Sequence, residues 1–261
     1  MQNRVSYIIM FATAICVVCA VLVSSSAVLL KERQLENQAL DKQFNVLLAA
    51  GLASPEERLT PEEIQQRFET VRAVVIDLQT GEVVEDAPID IDTFSVQKAA
   101  ASPDLGFVAP ANSAGISRLS KYQVVYHVLD DDDSIQMVII PIKGYGLWST
   151  LYGFLALDSD TTTIRGITYY DHKETPGLGG EVDNPRWKAA WEGRRAYDEN
   201  WEPAITVIKG QAGPASSAPY QVDGLSGATI TSRGVSNMMT FWLGDDGMGP
   251  YLRAFRERQK G

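Results

Sequence analysis

From Tyr7 to Leu30 the chain reads YIIMFATAICVVCAVLVSSSAVLL, without one charged side chain. About 20 apolar residues are enough to cross a bilayer, and the run outlasts the roughly 7–15 apolar residues of a secretory signal core. The small residues Ser24 to Ala27 would suit a peptidase, but Val28, Leu29 and Leu30 continue the apolar stretch past them. The pattern therefore predicts a retained transmembrane helix over residues 1–30. Leu35, Leu40, Phe44, Leu47 and Leu48 then recur in a helical rhythm as far as Gly51, which predicts a stalk helix and linker over 31–55.

Residues 56–261 read as a single α+β domain. Thr60, Pro61 and Glu63 make a helix start signal, with an expected end near Phe68. VRAVVIDLQTGEVVED alternates about a turn at Thr80 and Gly81, and YQVVYHVLDDDDSIQMVIIPI sets two strand-like runs around an acidic turn. LYGFLALD, IRGITYYD and AITVIK add further strands, and Asn184 and Pro185 open a Trp-rich helix. The expected fold is one transmembrane helix followed by a twisted, mainly antiparallel sheet with flanking helices.

Charge narrows the function. The net charge of −10, with no Lys/Arg block, excludes a nucleic-acid partner that would need a basic face. Asp130 to Asp133 lack the alternating ligands, glycine turn and distal Glu of a calcium loop and read as a solvated hairpin tip. No metal site is expected. Cys16 and Cys19 lie inside the apolar run and read as small membrane-helix residues. Arg4 on one side and Lys31 and Arg33 on the other leave the positive-inside rule near balance, with a slight bias toward a cytoplasmic domain.

The candidate chemistry sits in three glycine-bearing stretches: GYGLW, ETPGLGG and DGLSGATITSRGV. The last holds Ser226, Thr229, Thr231 and Ser232 just ahead of a helix expected from about Ser232, more hydroxyls than one N-cap requires. GLSGA misses the G-x-S-x-G elbow, no GK[ST] follows a glycine loop, and the two histidines are not placed as a base, so no catalytic side chain is assigned. A membrane-anchored binding module is the reading that uses the loops without a cofactor.

DGLSGAT resembles the flavinylation motif of the FMN-binding domain family, and ETPGLGG resembles that family's flavin-facing loop. The resemblance covers almost the whole chain. Within the family, LSGATITSRGV and GYGLWSTLYGFLAL are more similar to the C subunits of sodium-translocating NADH:quinone reductases than to the G subunits of Rnf electron-transport complexes. It implies FMN held by a phosphoester to Thr229, with Asp223, Ser226, Gly227, Ala228, Thr231, Lys209, Glu174, Thr175, Leu178, Gly179, Gly144 and Trp148 around it. Ser226 and Thr231 are expected to bond the phosphate or cap nearby amides, and Lys209 to tune the flavin. The glycines of the ETPGLGG loop are expected to let a flat ligand approach the main chain. The resemblance further implies an electron carrier in the bacterial inner membrane with a periplasmic domain. Its partners would be other subunits of an NADH:quinone reductase, a flavin transferase and membrane lipid.

Overall fold

The computed structural model describes residues 2–260. Helix α1 (Gln2–Ala50) is continuous, and Gly51 closes it in the left-handed conformation at φ 71°. Residues as far as Asp41 form one compact unit, and those from Lys42 onward form a second. Over the first unit the consecutive side chains Ile8, Ile9, Met10 and Phe11, which point to successive sides of the helix, are all exposed, as for a segment solvated by lipid. The helix is long and apolar enough to cross a membrane.

The second unit opens with α2 (Pro61–Phe68), whose start is the expected capping box: the Thr60 hydroxyl accepts the Glu63 amide, and the Glu63 carboxylate accepts the Thr60 amide. Strand β1 (Val71–Asp77), helix α3 (Val96–Ala101) and the short strands β2 (Gly106–Val108) and β3 (Arg118–Ser120) follow. Then come β4 (Tyr122–Leu129), β5 (Ile135–Tyr145), β6 (Thr150–Asp158) and β7 (Ile164–Asp171). The main sheet is antiparallel throughout, in the order β1-β4-β5-β6-β7. At the β4–β5 tip the Asp130 carboxylate accepts the amides of Asp132 and Ser134, so the acidic run folds its own turn in solvent.

Both faces of this sheet are covered, which is why its strands read as nearly unbroken apolar runs. Val124, Tyr126, Val128, Met137, Ile139, Phe154 and Ala156 point to one face, where Val46, Leu47, Ala49 and Ala50 cover them. Val125, Val138, Ile140, Leu151, Leu155 and Leu157 point to the other, beneath the C-terminal part of the chain. That part comprises α4 (Pro185–Ala189), β8 (Thr206–Val207), β9 (Gln221–Val222), α5 (Thr229–Leu243) and α6 (Gly249–Lys260).

Helix α5 positions the site. It buries Val235, Met238, Met239 and Trp242 against the sheet, each worth about 1.5–3 kcal/mol of transferred surface. Gly234 lets the helix approach β5 to backbone contact, since a Cβ there would sit 2.4 Å from the Tyr145 carbonyl oxygen. The Trp242 indole donates to the Lys143 carbonyl at 2.6 Å. Thr229 is thus carried on a helix locked to the central hairpin.

Three expectations are corrected. AITVIK is not a long strand: only Thr206 and Val207 pair, parallel to Gln221 and Val222, because Gly210 turns the chain at φ 88° just beyond. The second arm of VRAVVIDLQTGEVVED is reduced to one bridge between Ile76 and Val83. Helix α5 begins at Thr229 rather than near Ser232, since its N-cap is Ala228, which offers no side-chain cap.

Candidate functional site

The stretch ahead of α5 is held by its own polar groups. The Asp223 carboxylate accepts the Ala212 amide at 2.7 Å, and the Asp223 carbonyl accepts the Trp187 indole at 2.8 Å. The Gly224 amide donates to the Gly210 carbonyl. The buried Ser232 hydroxyl reaches back to accept the Leu225 amide at 3.0 Å, which folds the turn 225–228 over the helix start. Gly227 takes φ 71° in that turn, a conformation other residues adopt only at a cost. The result is an exposed Thr229 at the first position of α5, without a side-chain cap before it.

Beside Thr229 lies an open cavity of about 810 Å³. Thr229, Ser232, Arg233, Ser236 and Asn237 line it at positions i, i+3, i+4, i+7 and i+8 of α5, one polar stripe along the side of the helix away from its buried apolar residues. Lys209, Gln211, Asp223, Ser226 and Gly227 line part of the rest, with the short β8 segment beside them. Its two cationic side chains are Lys209 and Arg233. Its one carboxylate, Asp223, is already engaged by Ala212. A partly positive helix start with two cations nearby is a setting for an anionic group.

A second set of predicted residues meets at a single carboxylate. Glu174 is 5% exposed; its Oε1 accepts the amides of Leu147, Trp148 and Ser149 at 3.1, 2.9 and 3.3 Å, and its Oε2 accepts the Thr231 hydroxyl at 2.7 Å. Burial pushes the Glu174 carboxyl upward, but the hydrogen bonds from Thr231 and the three amides outweigh it and hold the group below the usual glutamate value. The Glu174 amide donates to His172 Nδ1, which places the imidazole proton on Nε2, facing Asp183 at 2.8 Å.

The predicted residues therefore separate. Thr229, Asp223, Ser226, Gly227 and Lys209 share the cavity, and Ala228 is the buried residue beneath it. Thr231 does not face the cavity as expected: its hydroxyl is fully buried against Glu174. Nor does Glu174 present its carboxylate to a ligand. Gly179 admits that carboxylate rather than a flat ligand, because a Cβ there would lie 2.5 Å from Glu174 Oε2 and 2.6 Å from the Thr231 hydroxyl. Gly144 serves packing, with a Cβ position 2.9 Å from that of Met238 on α5. The Thr175 carbonyl accepts the Leu178 and Gly180 amides and bends the loop. Leu178, 44% exposed, packs over Gly227, and Trp148 is 65% exposed at the β5–β6 turn. The sequence does not single out Gln211, Arg233, Ser236 and Asn237; the polar stripe from Thr229 to Asn237 is the signal for three of them.

Known proteins are similar to this chain in sequence and fold. Residues 146–244 match the model of the FMN-binding domain family. The C subunit of the Na(+)-translocating NADH-quinone reductase of Yersinia pestis is 46% identical over 259 residues, 98% of this chain and 95% of that protein. The protein of the same description from Pseudomonas aeruginosa is 44% identical over 262 residues, covering 98% of both. Among solved structures, Shewanella oneidensis NqrC aligns with a TM-score of 0.77 at 32% identity, over 85% of this chain and 99% of that one. The C subunit of the Parabacteroides distasonis reductase aligns with a TM-score of 0.65 at 26% identity, over 85% and 96%. By identity, coverage and fold alike, the chain belongs to the family of Na(+)-translocating NADH-quinone reductase C subunits.

Proposed function

We propose that Thr229 carries FMN through a phosphoester and that the chain is an electron-carrying subunit of a membrane NADH:quinone reductase that exports sodium. The observation that supports this most is an exposed threonine hydroxyl at an uncapped helix start, opening on a cavity with two cationic side chains. FMN, when bound, supplies one- and two-electron redox chemistry.

The residues present fit such a group. The helix start and Arg233, one turn along α5 from Thr229, favour a phosphate. Lys209 and Gln211 offer donors to the polar part of the cofactor, and Leu178, Ile230 and Trp148 are exposed apolar side chains suited to its ring system. Gly227 and Ala228 add almost no bulk beside the acceptor hydroxyl, which leaves a flavin transferase room to reach it. A covalent tether suits a domain on the periplasmic side of the bacterial inner membrane, where lost FMN is not replaced from the cytoplasm. There α1 would hold the domain to lipid and to the other subunits of the reductase.

Expression of the full chain with a flavin transferase tests the reading. Under ultraviolet light a denaturing gel should show a fluorescent band for the unaltered chain and none for Thr229→Ala, which has no hydroxyl to esterify. A colourless unaltered chain would leave a flavin-free binding module in its place.

A further inference from the structure

Glu174 joins two parts of the site that are far apart in sequence. One is the β5–β6 turn, where Leu147, Trp148 and Ser149 give it three amide hydrogen bonds. The other is the first turn of α5, where Thr231, two residues past Thr229, gives it a hydroxyl hydrogen bond. That turn has no side-chain cap of its own, and this carboxylate links it to the β5–β6 turn. Two glycines make the space: a Cβ on Gly146 would lie 2.7 Å from Glu174 Oε1, and one on Gly179 would lie 2.5 Å from Oε2. Lys173 adds a stitch through its amide to the Ser149 hydroxyl at 2.7 Å.

We infer that Glu174 is a positioning residue for flavin attachment: its carboxylate clamps the first turn of α5, which carries Thr229, to the β5–β6 turn at Trp148, so that the acceptor hydroxyl is presented on a fixed turn. The inference rests on the reading of Thr229 as the acceptor. Attachment joins the Thr229 oxygen to the FMN phosphorus of an activated donor such as FAD. The phosphoanhydride bond breaks, AMP leaves, and the hydroxyl proton passes to a base on the transferase. Such a transfer depends steeply on how the attacking oxygen is held, since small displacements cost large factors in rate. A hydrogen bond to an ionised acceptor inside the protein holds a turn more firmly than a neutral one.

The variants follow from the bonds. Glu174→Gln keeps an oxygen for the three amides and replaces the charged acceptor of Thr231 with an amide group. Thr231→Val removes the same bond from the other end while preserving shape, and Thr231→Ser restores it. Each full chain, in detergent, is treated with purified flavin transferase and FAD, and the rate of FMN incorporation is counted per folded chain. We expect Glu174→Gln and Thr231→Val each to lower kcat for transfer about tenfold with little change in KM. The double variant should be no slower than either single one, and Thr231→Ser should match the unaltered chain. In the flavin-free chain, hydrogen exchange at the amides 147–149 and 229–232 should rise together in both variants.

Rates per folded chain equal to the unaltered protein in both variants would overturn the inference and leave Glu174 a role in folding alone. So would exchange that rises at one segment and not the other. If the unaltered chain accepts no FMN at all, the reading of Thr229 fails and the inference falls with it, whereas a loss confined to the Glu174 and Thr231 variants separates the two.

Discussion

Ser232 Oγ accepts the Leu225 amide at 3.0 Å, closing a loop of eight residues from inside and leaving Thr229 at its outer rim. A serine placed where a helix cap was expected thus caps the turn before the helix. Ser232→Ala leaves the buried Leu225 amide without its partner, a loss of about 1–2 kcal/mol. Ser226→Ala, on the exposed side of the same turn, should change stability by less than about 0.5 kcal/mol. Thermal melts of the two full-chain variants would distinguish the positions; equal effects would show that the Ser232 bond does not organise the turn.

Lys209 and Arg233 should act on different properties of the bound cofactor. Lys209→Met keeps the stem and removes the charge, and should make the flavin harder to reduce by roughly 1–2 kcal/mol, because an ammonium nearby favours the more negative reduced form. Arg233→Met should instead weaken non-covalent retention of FMN in a Thr229→Ala background by about tenfold, through its loss from the phosphate side. Redox titration reads the first and equilibrium dialysis the second. An unchanged potential in Lys209→Met would remove Lys209 from the electronic account.

His127 on β4 makes a prediction about acid. Its Nε2 shares a hydrogen bond with the Tyr251 hydroxyl of α6, and its ring lies beside Phe255. Burial first, then the charges of Arg72 and Arg258, lower its pKa from 6.5 to about 4. The folded-state value is depressed, so the unfolded chain takes up a proton first. The contribution of His127 to stability should be whole above pH 6.5 and should fall away as pH drops through the window from 6.5 to about 4, by about 3 kcal/mol at its foot. His127→Gln, which still offers Tyr251 a polar partner, should flatten the melting temperature between pH 6.5 and 4.5. A slope the same as in the unaltered chain would assign the acid sensitivity to other groups.

Membrane orientation is a case where charge and family point different ways. Arg4 faces Lys31 and Arg33 across the apolar run, a near balance, while the resemblance implies a periplasmic domain. Alkaline phosphatase fused after Gly261 should be active, and a fluorescent protein that matures only in the cytoplasm should stay dark. The reverse pattern would place the domain, and its flavin, in the cytoplasm.

Local signals were the legible ones. The Thr60–Glu63 box, the hairpin around Asp130 and the apolar run of α1 each carry their cause within a few residues, and each stands in the structure as read. What escaped was set by distant partners. Glu174 reads as a ligand-facing loop residue until Thr231, 57 positions away, is seen on its carboxylate. AITVIK has the composition of a full strand, yet its only ladder partner is the two-residue segment Gln221–Val222. The polar stripe from Thr229 to Asn237 was present in the sequence, but it becomes the wall of a cavity only once β5 covers the opposite face of the helix.

Peptide mapping of the full chain after expression with a flavin transferase tests the central claim most directly. The peptide spanning DGLSGATITSR should gain the mass of one FMN less one water, and fragmentation should place the addition on Thr229. An addition on Ser226, Thr231 or Ser232, or a peptide of unmodified mass from a protein that is nonetheless yellow, would contradict it.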